Sequence, residues 1–146
     1  MTVLFLTGHV APDRAGAFER LHARVPIELA LFGGRHQHGA PAAAPPAGVP
    51  HRLIAQREAG ALVASGAYDA VVAGTGGRVA LPAAWRAARA RGVPFVFWAA
   101  LWRTPRTAAH VAALPLMHRI YRRAHAVVTY GEHVSAYVRA HGLHSD

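Results

Sequence analysis

The feature that most constrains this chain is a recurring short apolar run, rich in β-branched and aromatic residues. It appears at Thr2–Thr7, Ile27–Phe32, Asp69–Gly74, Val93–Ala99 and Ala126–Tyr130. Each run has the length of a strand, and most lack the polar alternation of a strand with one wet face. Such runs read as strands buried on both sides, as in a parallel sheet. Stretches with helical spacing lie between and after them: Ala17–Arg24, Gln56–Ser65, Pro82–Arg91, Ala108–Arg123 and Glu132–Ala140, with Gly66, Gly92 and Gly142 as stop signals. Arg52–Ala55 adds a short edge strand, and the Ala/Pro/Gly/His-rich stretch 35–50 reads as a surface loop. Pro115 falls inside the fourth helical stretch, where it either opens a second helix or kinks a longer one. Strands alternating with helices at these spacings are βαβ units, and right-handed crossovers place helices on both faces. The expectation is an α/β, Rossmann-like three-layer domain with a mainly parallel sheet of about six strands.

A length of 146 residues suits one domain, and 53% hydrophobic residues suffice for a sizeable core. Cysteine is absent, which excludes disulfides, thiolate metal sites and thiol nucleophiles. No apolar stretch reaches the ~18 residues of a membrane span, and the first apolar run reads as a strand rather than a leader, so a cytoplasmic location is the default expectation. Formal net charge is +9, and all 16 basic residues are arginine. The absence of lysine and asparagine points to the composition of a GC-rich bacterial genome. The charge still favours anionic partners such as phosphates or an acidic membrane surface. The arginines are scattered among helices and do not interleave with aromatics on one sheet face, so nucleic acid is not an expected partner.

In a parallel α/β sheet, ligands bind outside the carboxyl ends of the strands. The loops after Thr7, Gly74, Ala99 and Tyr130 all lie on that edge. The loop after Ala99 carries Trp102, Arg103 and Arg106, and Trp98 closes the strand before it. Indoles offer flat faces for stacking and guanidinium groups offer forks for phosphate or carboxylate, so this edge reads as a ligand-binding rim. One of the two tryptophans is expected to fill the core beneath the following helix. The first loop, Pro12–Leu21, reads as a turn at Gly16 leading into a helix whose first amides favour an anion. It is neither a G-x-G-x-x-G fingerprint nor a P-loop. Gly74–Gly77 is a second glycine-rich turn, suited either to a ligand or to capping the strand. The eleven histidines show no H-E-x-x-H and no tight carboxylate partner, and no D-x-D occurs, so neither a metal site nor a cofactor is expected. The basic segment His118–His125 suits a membrane surface or, more simply, a solvated helix face.

Three segments resemble the N-terminal domain of family-four-like glycosyltransferases of GT-B architecture. They are the first loop Pro12–Leu21, the strand and loop Pro94–Pro105, and MHRIYRRAHAVVTYGEHVSAYVRAHG, from Met117 to Gly142. The resemblance implies a single acceptor-side domain over 1–146, with the nucleotide-sugar domain absent from this sequence. It implies an acceptor-binding half of an enzyme that moves a sugar from a nucleotide sugar to the hydroxyl of a sugar or lipid-linked acceptor. Peripheral contact with the inner membrane face would suit such an acceptor. Ala15, Gly16 and Ala17 would approach the donor phosphate, while Trp98, Trp102, Arg103, Gly131 and Glu132 would line the acceptor side. Where such enzymes place a histidine after the fourth long strand, this sequence has tryptophans, so no catalytic residue carries over. The isolated chain is then expected not to turn over a nucleotide sugar. A non-catalytic Rossmann-like binding module is the alternative.

Overall fold

The computed structural model describes residues 1–33, 45–103 and 107–142. Six strands form one sheet: β1 (Val3–Thr7), β2 (Ile27–Leu31), β3 (His51–Leu53), β4 (Ala70–Gly74), β5 (Phe95–Ala99) and β6 (Ala126–Thr129). Their order is β3-β2-β1-β4-β5-β6 and every pairing is parallel. This is the doubly wound order, with its switch point between β1 and β4. The helices are α1 (Pro12–His22), α2 (Ala59–Ala64, entered through a 3₁₀ turn at Gln56–Glu58), α3 (Ala80–Arg91), α4 (Ala108–Arg123) and α5 (Glu132–Ala140).

Period-two alternation divides the core between the two faces of the sheet. Leu4, Leu6, Val71, Ala73, Phe95, Phe97 and Ala99 point to one side and are covered by apolar residues of α2, α3, α4 and α5. Ile27, Leu29 and Leu31 point to the other side and pack with Phe18 and Leu21 of α1. Helices therefore lie on both faces, as the crossover rule requires, but unequally. Among the described residues, α1 is the sole helix on its face. It covers β1 and β2 and leaves Val72, Val96 and Val128 of β4–β6 only partly shielded or exposed.

Local chemistry explains most element ends. Pro12 starts α1, where its missing N–H costs nothing, and Asp13 sits in the positive first turn. The Thr107 hydroxyl caps α4 by accepting from the His110 amide at 3.4 Å, and Gly92 ends α3 in the left-handed region at φ 66°. α4 runs unbroken through Pro115. Small residues let α2 and α3 meet closely, since a Cβ on Gly60 would stand 3.3 Å from that of Ala83. At the sheet edge, Glu28 accepts from Tyr68 Oη at 2.8 Å and pairs with Arg52, tying the exposed strand β3 to β2. The surface-loop reading of 35–50 falls largely on residues 34–44, which lie outside the described residues.

Candidate functional site

The carboxyl edge of the sheet is where the fold gathers its loops, but its centre is filled by protein. A Cβ on Gly8, after β1, would lie 2.8 Å from the carbonyl oxygen of Gly33, after β2. Gly77, at φ +85°, would press a Cβ to 2.9 Å from the Phe32 ring. Phe32 thus packs into the glycine turn that follows β4. Within the Gly74–Gly77 stretch, Gly77 has a packing reason to be glycine, while a Cβ on Gly74 would meet nothing within 4 Å; open space is displaced along the edge toward β5 and β6.

That space is a cleft of about 420 Å³ on the α1 face. Its floor is formed by Phe5, Val72, Val96 and Val128, one apolar side chain from each of four adjacent strands. Ala17, Phe18 and Leu21 of α1 form one wall, and Trp98 and Tyr130 stand at the carboxyl end. The indole of Trp98 meets Phe5 and Phe18 edge-on, at centroid separations of 6.4 and 6.3 Å. It stacks on Tyr130 at 5.3 Å with 19° between the planes. The Arg14 guanidinium carbon lies 5.4 Å from the Trp98 centroid and 5.0 Å from that of Tyr130. The cleft is therefore apolar along its length, with one cation held over an aromatic pair at its end. Asp13 is its other charged lining residue. Burial pushes the Tyr130 phenol above its ordinary pKa, and Arg14 works against that rise.

The expected site residues separate into three groups. Trp98 and Ala17 belong to the cleft. Of the two tryptophans, Trp98 is the one that packs, although against α1 and Tyr130 and not beneath α4. Trp102 is 55% exposed. Arg103 lies 4.9 Å over its ring and the imidazole of His133 meets it edge-on at 6.4 Å, so Trp102 and Arg103 gather at the first turn of α5. Gly131, whose carbonyl accepts from the amides of Val134 and Ser135, and Glu132 form that same turn. They follow directly on Tyr130, so the rim continues from the cleft to the start of α5. Arg106 lies outside the described residues.

The first loop is corrected. Helix α1 begins at Pro12, so Ala15, Gly16 and Ala17 lie within its second turn and their amides serve the helix's own ladder. They offer no free N–H to a phosphate, and Asp13 places negative charge where an anion would have to approach. Two contributors escaped sequence reasoning, Arg14 and Tyr130. Arg14 becomes visible only once the helix is known to start two residues before it. In the sequence Tyr130 reads as the end of a strand, yet its position two residues beyond Val128 puts it on the open face.

In comparison with known proteins, no family model matches the chain and no curated protein is similar to it. The fold and the cleft together define a Rossmann-like α/β domain with an apolar groove on one sheet face. Among the described residues no helix is long and apolar enough to cross a membrane.

Proposed function

We propose that this domain is the acceptor-binding half of a glycosyltransferase, serving transfer of a sugar from a nucleotide sugar to an acceptor hydroxyl. The observation that carries the reading is the Trp98–Tyr130 stack beneath Arg14, at the carboxyl edge of a doubly wound sheet. Aromatic faces suit the apolar face of a sugar ring, and the floor of Phe5, Val72, Val96 and Val128 suits an apolar aglycone or lipid. Trp102, Arg103, Gly131 and Glu132 extend the rim on the acceptor side. A second domain would supply the donor site, and the departing diphosphate would be stabilised electrostatically there. Anchoring at a membrane surface fits a lipid-linked acceptor and the positive net charge.

The apolar cleft by itself equally suits a non-catalytic binding module, since Asp13 and Arg14 are its charged lining residues and its floor and α1 wall are apolar. Intrinsic fluorescence separates the readings. Short-chain alkyl glycosides should shift the tryptophan emission saturably, and Trp98→Phe with Tyr130→Ala should weaken binding about tenfold, the value of one lost stacking contact. Equal affinity for the glycoside and the corresponding alkyl alcohol would leave an apolar-ligand module and remove the sugar acceptor. Absence of saturable binding to either would end both.

A further inference from the structure

We infer that the groove between α3 and α4 binds a multiply charged phosphate-type anion, at a site separate from the Trp98 cleft. Arg86 and Arg89 stand three residues apart on α3 and so share a face. Arg119 of α4 joins them, and with Trp85 and Ala90 they line a groove of about 400 Å³, within the size range of small-ligand sites. Apart from the methyl of Ala90, the side chains lining it are hydrogen-bond donors, and none can accept one. Among the described residues the ion pairs are Met1 with Asp69 and Arg52 with Glu28, so no carboxylate offsets these three cations. Like charges converging on one groove repel unless an anion sits among them.

One of the three is already anchored. The Arg89 guanidinium carbon lies 5.2 Å from the centroid of the Trp85 ring, and Trp85 is only 4% exposed. A guanidinium stacked on a core indole has less freedom to lose on binding than a free side chain. The Trp85 indole N–H is itself buried without a hydrogen-bond partner. Three planar forks around one volume match a group with several oxygens and more than one charge. A carboxylate offers two oxygens and a single charge, whereas a phosphate offers three and nearly two. Because α3 and α4 pack on the sheet face opposite the cleft, this inference does not depend on sugar transfer.

The anion could be a free phosphorylated compound or the head group of an anionic lipid. Calorimetric titration with pyrophosphate tests the first. Sedimentation with phosphatidylcholine vesicles, with and without phosphatidylglycerol, tests the second. Arg89→Gln/Arg119→Gln should weaken binding at least tenfold, whereas Arg20→Gln/Arg24→Gln, which removes the same charge from α1 and the turn that follows it, should leave it unchanged. Saturable pyrophosphate binding with this pattern assigns a soluble phosphate ligand. The same pattern seen only with phosphatidylglycerol vesicles assigns a lipid head group. Equal loss in both double variants, or no dependence on Arg89 and Arg119 in either assay, overturns the site. If the glutamine variant does not fold, Arg89→Lys/Arg119→Lys keeps the charge and removes the forks, and should still weaken binding severalfold.

Discussion

Trp98 leaves β5 on the side away from Phe95 and Phe97, so its ring falls among Phe5, Phe18 and Tyr130 rather than in the main core. Its neighbour across the stack is a phenol under opposed influences: partial burial and the nearby Asp13 favour the neutral form, and Arg14 favours the phenolate. Arg14→Gln removes the charge that favours the phenolate. The Tyr130 phenol should then titrate at a higher pH than in the parent protein, as read by tyrosinate absorbance against a Tyr130→Phe control. A fall or no change would mean that Arg14 does not sit over the ring in solution. The same substitution should weaken any ligand that carries negative charge into the end of the cleft. That both tryptophans lie at the carboxyl edge is legible from the sequence, because strand ends are. Which one packs is not, because that depends on Tyr130, just after β6 and 32 residues away in the chain.

At the scale of elements, the long strands are legible as apolar runs, but their expected burial on both faces is not met: the α1-side residues of β4 and β5 are only partly shielded and β6 has exposed positions. The start of α1 is not legible, and the reason is Gly16. A glycine between Pro12 and the amphipathic Phe18–Leu21 stretch looks like a turn, yet the proline and Asp13 already provide a helix start. Gly16 is a helical position with room beside it: an added Cβ would meet only the flexible end of Arg20, at 3.4 Å. Gly16→Ala should therefore stabilise the protein by about 0.5–1 kcal/mol through reduced freedom of the unfolded chain. Urea denaturation would show the midpoint rising, and a drop would mean that the helix does not run through Gly16. The edge strand β3 survives with all three residues exposed because Glu28 bridges Arg52 and Tyr68, a long-range arrangement that no local pattern announces.

For the whole molecule, pH reports on the core through two phenols. Burial, joined by the hydrogen bond to Glu28, pushes Tyr68 up to about 12, and burial does the same for Tyr121. Both phenols hold their protons more tightly folded than unfolded, where the reference value is 10. Below pH 10 the two states bind equally many of these protons; between 10 and 12 the unfolded state binds fewer, so stability falls as pH rises. Thermal melts across that window should show a steady decline, which Tyr121→Phe should reduce. On the acid side His118 behaves in the opposite sense. Burial first, then His141 and Arg122, holds its pKa below 6.5, so its neutral form is the stable one and stability drops as pH falls below that value.

The seam between β1 and β4 gives the molecule its order of assembly. β4, β5 and β6 are chain neighbours linked by α3 and α4, and β1 and β2 are likewise linked by α1. The two groups meet where Val3 pairs with Ala70 and where the Thr2 amide donates to the Asp69 carboxylate, 67 residues along the chain. Closing so long a loop is slow relative to local pairing, so each half can condense before the other docks. Truncating Leu4 or Val71 at this join should slow refolding more than it speeds unfolding, and shaving Phe18 should do the reverse.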